Sequence, residues 1–344
     1  MANVSYRKER IDRGIKARTD DIFAIASLQE TLYLLFPRLL LIVPLVVFPL
    51  LQGIIGAYWE TVFLIALVVT LLALSWDLLA SVGLVSLGQA LFYGVGGYFT
   101  AFLSNYLGLP PLISIPLATV SGASVCTLLL YPVLRLRGVY FGLITFAIPL
   151  LLMRTIEATK ILGGTEGISG LAPLPGLTVE LYVMVAIAFV GVFGLRRLID
   201  TDYGLVLRAI RDNDRSVEAG GINVPWYKAQ AVFIAALPAT FAGAFIAHHY
   251  QVVGMSAFAL DYSVLPLTAV VIGGPGSFAG ALLGAFVLVP LSETLRQFGT
   301  LRVVIYSVIL LIFVVGLPEG IFRFAQRKYQ QFERLVPMEE VAKE

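Results

Sequence analysis

Few residues in this chain can do bond chemistry. Two histidines, His248 and His249, stand side by side in one apolar run, and the only cysteine, Cys126, lies in another. Neighbours on a helix do not share a face, so the histidines suit interfacial polar positions better than a joint metal site. A lone thiol cannot pair within the chain and reads as a small buried hydrophobe. The sequence has no G-x-x-x-x-G-K-[ST] phosphate cradle and no H-E-x-x-H zinc motif, so any ATP hydrolysis must belong to another polypeptide. No Ser/His/Asp set can be assembled from chain order. What remains is polar chemistry inside apolar runs. Asp77, in SWDLLASVGL, is a carboxylate whose burial in hydrocarbon is costly; it reads either as a functional group or as a structural cap.

Glycine supplies the next set of signals. The stretch KILGGTEGISGLAPLPG places Gly163, Gly164, Gly167 and Gly170 around Thr165 and Glu166, which suits a shaped lid, a docking surface or a plain linker. Gly273-Gly274-Pro275-Gly276 interrupts another apolar run. Gly276, Gly280 and Gly284 recur every fourth residue, a small-residue stripe that lets a second helix approach closely. Gly88, Gly94, Gly96 and Gly97 predict a kinked or interrupted helix over 88–106. The longest polar stretch between apolar runs, 200–228, fits two short helices, 203–211 and 214–220, stopped by Gly221. Such a mixed-charge segment is either a handle for a soluble partner or a solvated loop.

The elements that must position these residues are set by composition. Of 344 residues, 58% are apolar and 13% charged, and the mean hydropathy is +0.89. Soluble domains carry about 25% charged residues, so this chain cannot cover a globule with solvated side chains, and it is too hydrophobic for disorder. A net charge of +2 carries no signature of nucleic-acid binding. The composition predicts an all-α polytopic membrane protein. Helical spans of about 20 residues fall at 39–58, 61–82, 88–106, 111–134, 139–158, 179–197, 228–249 and 301–317, with a broken pair at 263–273 and 277–292. Runs such as Thr61–Ala73 are apolar all round, which argues against the alternating segments of a β-barrel.

Twenty of the 24 lysines and arginines fall in the N-terminal segment to Arg38, after the fourth span, in 196–228, or in the tail beyond the last span. Cations mark the cytoplasmic side, so both termini and the 196–228 loop are expected there. Both ends inside requires an even number of crossings. The broken pair must then enter and return, as two half-length helices meeting at the glycine-rich turn or as two short spans, giving eight to ten helices. The expected organisation is a cytoplasmic or interfacial segment 1–38, a transmembrane domain 39–317 and a cytoplasmic tail 318–344. The first apolar run begins late for a cleavable signal peptide, so the N-terminus is expected in the mature protein.

Five stretches in order, SLGQALFYGVGGYFTAFL (86–103), LRLRGVYFGLITFAI (134–148), GGTEGISG (163–170), DYGLVLRAIRDNDRSVEAGGINVPWYK (202–228) and VVIGGPGSFAGALLGAF (270–286), resemble the permease subunit of branched-chain amino acid ABC importers, in its LivM-like branch. The resemblance implies a subunit without catalysis of its own in the inner membrane of a prokaryote. It would be paired with a second, paralogous permease chain, with two ATP-binding subunits that hold ATP and magnesium, and with an external solute-binding protein. It implies an ATPase-coupling loop carried by Gly204, Arg208, Ala209, Arg211, Asp212, Gly221, Ile222 and Asn223. It also implies path or gate positions at Asp77, Ser86, Gly88, Gln89, Tyr93, Gly163, Gly164, Thr165, Glu166, Gly273, Gly274, Pro275 and Gly276. The solute class is branched-chain amino acids, with urea, short amides or other amino acids as the alternative. The family often has His at Gln89 and Asn at Asp77 and Glu166. A stand-alone secondary transporter is the reading from another class, and the scarcity of intramembrane charge weighs against it.

Overall fold

The computed structural model describes residues 6–11, 28–51, 56–136, 138–299, 301–317 and 319–337. Arg13, Lys16, Arg18, Arg137 and Lys343, used above to orient the chain, lie outside them. The elements are β1 (Tyr6–Arg10), α1 (Leu28–Val47), α2 (Ala57–Ser81), α3 (Gln89–Leu107), α4 (Pro111–Leu130), α5 (Val139–Thr159), β2 (Ile168–Ser169) and α6 (Leu177–Ile199), then α7 (Asp202–Ala219), α8 (Val224–Tyr250), β3 (Val252–Val253), α9 (Asp261–Gly273), α10 (Phe278–Thr294), α11 (Leu301–Gly316), α12 (Gly320–Tyr329) and β4 (Glu333–Pro337).

The chain is an all-α polytopic membrane protein. Among the described residues, six helical stretches are long and apolar enough to cross a bilayer: Ala57–Ser81, Pro111–Arg135, Val139–Thr159, Leu177–Ile199, Val224–Tyr250 and Met255–Gly273. A seventh is added if Leu28–Pro37 and Leu39–Leu51, bent by 55°, count as one span. Proline lacks an N–H and clashes with the carbonyl four residues back, and Pro37 and Pro44 both lie in α1. This helix begins at Leu28 rather than at 39, because Arg38 beside Pro37 looks like a boundary in the sequence while the helix passes through both with a bend. α3, α10 and α11 are shorter or more polar and pack in the same bundle.

α2 is apolar all round over Thr61–Ala73 and is buried along nearly its whole length, as a helix with so little polar surface must be. α8 packs on α2, α3 and α4 pack on α8, the α9–α10 hairpin packs on α2, and α6 flanks it. Two crossings are tight because they lack side chains. A methyl group added at Gly96 of α3 would lie 2.1 Å from the Thr240 oxygen of α8, and one at Gly243 of α8 would lie 1.9 Å from the Tyr93 oxygen of α3. In the hairpin, the same test places Gly280 at 2.7 Å from the Gly273 oxygen and Gly284 at 1.8 Å from the Ala269 oxygen. Gly276 does not share this face; it lies in the turn with a φ of 73°, because α10 begins only at Phe278.

Of the pair expected as a broken span or as two short spans, the first half is long and apolar enough to cross a bilayer, whereas α10 has 17 residues and is not. The single turn Met255–Phe258 runs into α9 to give a 19-residue apolar stretch, and the Gly274–Ser277 turn reaches the end of α2 rather than stopping midway. The first and last described strands meet: β1 pairs antiparallel with β4. The Tyr33 hydroxyl donates to the Tyr329 oxygen at 3.3 Å, and the Tyr329 hydroxyl donates to the Tyr33 oxygen at 2.9 Å, with the rings stacked at 4.7 Å.

Overpacking a close helix crossing costs about 1–3 kcal/mol. Gly284→Val is therefore expected to lower the thermal unfolding midpoint of the purified chain in detergent by several degrees. Gly194→Ala, at a position with nothing within 4 Å, should leave it unchanged. Equal midpoints for the two variants would refute the packing role.

Candidate functional site: a buried polar seam beneath a kinked surface helix

A helix that begins inside a bundle leaves N–H groups without intrahelical partners, and α3 begins there. The Gly88 N–H donates to Ser86 Oγ at 3.1 Å. The Leu87 N–H donates to Thr145 Oγ1 of α5 at 3.1 Å, and the Ala90 N–H to Ser263 Oγ of α9 at 3.1 Å. From α2, the Ser75 hydroxyl donates to Gln89 Oε1 at 2.9 Å and the Trp76 indole N–H to the Ser86 oxygen at 2.8 Å. Ser86, Gln89, Ser75, Thr145 and Ser263 are all buried. Gly88 is required: a methyl group there would lie 2.2 Å from the Thr145 oxygen. One turn on, Tyr93 stacks on Tyr262 at 4.1 Å. The result is a seam of neutral hydrogen-bonding groups from α2, α3, α5 and α9. Its one loose end is Gln89 Nε2, which is buried without a partner.

A second cluster is built on the next residue of α2. Asp77 is fully buried; its Oδ1 accepts the Gly276 N–H at 2.6 Å, and its Oδ2 has no partner. Asp77 therefore fastens the Gly274–Ser277 turn to α2. The turn is gripped from the other side by α12. Added methyl groups would lie 2.3 Å from the Gly274 Cα at Gly320 and 2.8 Å from Arg323 Nη2 at Gly276. Gly273 and Gly274 are buried here, while Pro275 is exposed.

The glycine-rich outer loop forms a third cluster. Gly163, Gly164, Gly167 and Gly170 all have positive φ. Ile168–Ser169 pairs with Val252–Val253, and Asn105 Nδ2 donates to the Ser169 oxygen at 2.8 Å. Thr165 and Glu166 are exposed. The loop binds the far end of α3: Asn105 and Gln89 are separated by about 24 Å at 1.5 Å per residue. The candidate path residues thus occupy two faces of the bundle and the seam, not one pocket.

The sequence underrated His248. It is buried inside the bundle in the last turn of α8. Its Nδ1 lies 2.8 Å from the Ala172 oxygen, and its Nε2 lies 2.8 Å from Ser114 Oγ and 3.1 Å from Thr100 Oγ1. A carbonyl only accepts, so Nδ1 carries a proton, while Nε2 faces the two hydroxyls. His249 turns the other way, to Glu180. Among the described residues, no three His, Cys, Asp or Glu side chains gather to hold a metal ion.

The polar stretch 200–228 is folded. α7 is kinked at Asn213 (φ −161°, ψ 96°), whose Oδ1 caps the second half by accepting the Ser216 N–H at 3.2 Å. Gly221 closes it with a φ of 84°, and Asn223 caps α8 through the Trp226 N–H at 3.2 Å. Leu207 and Ile210 pack on Val82, Val224 and Ala231. Gly204 has no room for a side chain, since a methyl group would lie 2.1 Å from the Ile199 oxygen. Ala209, Arg211 and Asp212 face outward, Arg208 and Ile222 are half-buried, and Lys228 reaches Asp214 at 3.3 Å. α7 also rests on the loop that carries the seam: Gly83 (φ 82°) has the Cα of Arg211 3.3 Å from its Cβ position.

Comparison with known proteins adds to this geometry. Residues 58–315 match the family described as branched-chain amino acid transport system / permease component. The high-affinity branched-chain amino acid transport system permease protein LivM of Escherichia coli (strain K12) is 28% identical over 270 residues, 70% of this chain and 64% of that protein. The probable LivM of Methanocaldococcus jannaschii is 28% identical over 217 residues, 56% of this chain and 63% of that protein. The probable LivH of the same organism is 27% identical over 243 residues, 64% and 76%. The chain spans less than two thirds of the length of the LivM relatives. No solved structure matches.

Removing the acceptor from a buried donor costs about 1–3 kcal/mol. Asp77→Leu, which strands the Gly276 N–H, is expected to lower the thermal midpoint, whereas Asp77→Asn keeps an acceptor oxygen and should stay close to wild type. Equal loss in both variants would show that the negative charge, not the hydrogen bond, holds the turn.

Proposed function

Because the chain belongs to the branched-chain amino acid transport permease family, we propose that it is one transmembrane subunit of an ATP-driven importer for branched-chain, hydrophobic amino acids in the inner membrane of a prokaryote. A paralogous permease chain completes the path, as the likeness to both LivM and LivH suggests. Two ATP-binding subunits dock on the α7 face, and a solute-binding protein docks on the glycine-rich loop. ATP and magnesium reside on the partner subunits.

The observation that carries this reading is the seat of α7 on Gly83. Gly83 opens the loop that ends in Ser86, Gly88 and Gln89. A push on α7 therefore passes through a few residues to the hydrogen bonds that hold α2, α3, α5 and α9 together. Packed elements with two discrete arrangements transmit such a push as a rigid-body shift. Arg208, Ala209, Arg211 and Asp212 supply the grip: guanidinium groups offer a fixed fork of donors to a partner's acceptors. Gly204, Gly221, Ile222 and Asn223 fix the helix against the bundle so that the push is not absorbed. In the seam, Gln89 offers an unused amide donor, and Ser86, Gly88 and Tyr93 line the same turn. Opening the seam would expose neutral hydrogen-bonding groups and an aromatic pair to a small amphipathic solute. The distribution of lysine and arginine supports a cytoplasmic position for α7 and both chain ends.

Arg208→Glu reverses the charge offered to the ATPase groove. Leucine uptake by proteoliposomes holding the complete transporter is expected to fall at least tenfold, with the chain still incorporated in the bilayer. Uptake at the wild-type rate would sink the coupling assignment. Gly83→Val, strained at its positive φ and crowding Arg211, is expected to leave ATP hydrolysis measurable but no longer tied to uptake; a wild-type ratio of solute moved to ATP consumed would argue that the seam is driven from elsewhere.

A further inference from the structure

The first residue of α9, Asp261, carries a charge at a depth where lipid offers it nothing. Its neighbour Tyr262 stacks on Tyr93 of α3 at 4.1 Å, and Ser263 Oγ accepts the Ala90 N–H at 3.1 Å. Two helices fix the level of these contacts. Ser75 of α2, bonded to Gln89, lies about 9 Å from Ser81 and about 27 Å from Ala57 at 1.5 Å per residue. Tyr93 is about 6 Å beyond Gln89 along α3 and about 21 Å short of its end at Leu107. Both measures put Tyr93, and Asp261 with it, near the middle of a hydrocarbon layer about 30 Å thick.

Asp261 is nevertheless exposed. So are Leu260 and Val264, at 46% and 38%, on the same side of the helix. Among the described residues the Asp261 carboxylate makes no ion pair and no hydrogen bond. A carboxylate in a first turn complements the helix dipole, but a neutral asparagine or serine would serve that turn without bringing a charge to this depth. Carboxylates within spans are costly against lipid and face a bundle interior, a water-filled cavity or an opposite charge. Asp261 does not face the interior of its own chain, so its surface looks onto water or onto a cation from elsewhere.

We propose that Asp261 faces a water-filled path between this chain and its paralogue and takes the ammonium group of the solute in passage. Lipid headgroups stay outside the hydrocarbon and do not reach this level. A divalent cation wants about six or more oxygen ligands, and among the described residues no three His, Cys, Asp or Glu side chains gather. A branched-chain amino acid suits the surroundings. Its ammonium meets the carboxylate, the Tyr93–Tyr262 stack adds aromatic faces that attract such a cation, and Leu260 and Val264 offer aliphatic surface to its side chain. The proposal rests on the reading of the chain as an amino acid permease subunit, because urea has no ammonium group to place there.

The test uses proteoliposomes holding the complete transporter. Asp261→Asn keeps the shape and an acceptor oxygen but removes the charge. Leucine uptake is expected to fall about tenfold, the worth of one hydrogen bond to a charged group, with an unchanged thermal midpoint, and Asp261→Glu should recover most of it. Position is read separately. Asp261→Cys is expected to react with a water-soluble methanethiosulfonate about tenfold faster than Leu117→Cys on the exposed side of α4, because the reactive thiolate forms only where water reaches; the native Cys126 is buried. Wild-type leucine uptake by Asp261→Asn overturns the ammonium contact, as do equal losses in the Asn and Glu variants with a lowered midpoint, which would assign Asp261 to holding α9. Equal labelling of the two cysteines overturns the path. Labelling of Asp261→Cys in the isolated chain but not in the transporter would overturn the proposal in favour of an ion pair with the partner permease. A wild-type transporter that moves urea and not leucine would overturn the solute reading and the ammonium contact with it, while the labelling contrast still reports whether Asp261 stands in water.

Discussion

Hydrocarbon offers no hydrogen bonds, so every backbone group that a helix end exposes inside the bilayer must find a partner in the protein. α3 starts within the bundle, and that constraint shapes its surroundings. Its first N–H groups and the loop before them recruit Ser86, Thr145 from α5 and Ser263 from α9. Gln89 ties back to Ser75 of α2. Four helices are thus registered against each other by neutral hydrogen bonds, with no ion pair at the junction. Such bonds are individually modest, of order 1 kcal/mol within membranes. A junction built from them can hold one arrangement and still exchange it for another.

Glycine does the complementary work. Where α3 crosses α8 and α9 crosses α10, backbone meets backbone because Gly96, Gly243, Gly280 and Gly284 carry no side chain. Without a hydrophobic drive between helices in lipid, close van der Waals contact must supply the cohesion. The glycine turn at 274–277 combines both devices. Its positive-φ residues let it bend, Asp77 holds one N–H, and Gly320 of α12 fits against Gly274. Asp77 thus acts as a structural cap in this arrangement, while its second oxygen stays unused.

Much of this was legible in the sequence wherever the signal is local. The all-round apolar run at Thr61–Ala73 marks a central helix, and the polar stretch 200–228 folds as two short helices meeting at Asn213, with Gly221 after them. The stripe Gly280, Gly284 lies at a close crossing. Partnerships between distant residues left no local trace. Thr145 lies 58 residues from Leu87, and Ser263 lies 173 from Ala90; each looks like an incidental hydroxyl in an apolar run. His248 read as an interfacial residue because nothing near it in sequence predicts Ser114, Thr100 or the Ala172 carbonyl. Gly276 fits a four-residue spacing but belongs to the turn, since periodicity cannot tell the last residue of a turn from the first of a helix. Proline and arginine at 37 and 38 concealed eleven residues of α1 in the same way.

The pairing of β1 with β4, fastened by the Tyr33 and Tyr329 exchange, closes the polypeptide into a ring. In an open chain the outermost helices are free to drift apart when the bundle changes shape. In a ring they are tethered, and any displacement of α12, which grips the Gly274–Ser277 turn, is felt by α1 as well. The paired strands and the tyrosine exchange therefore link α1 to α12, and through α12 to the Gly274–Ser277 turn.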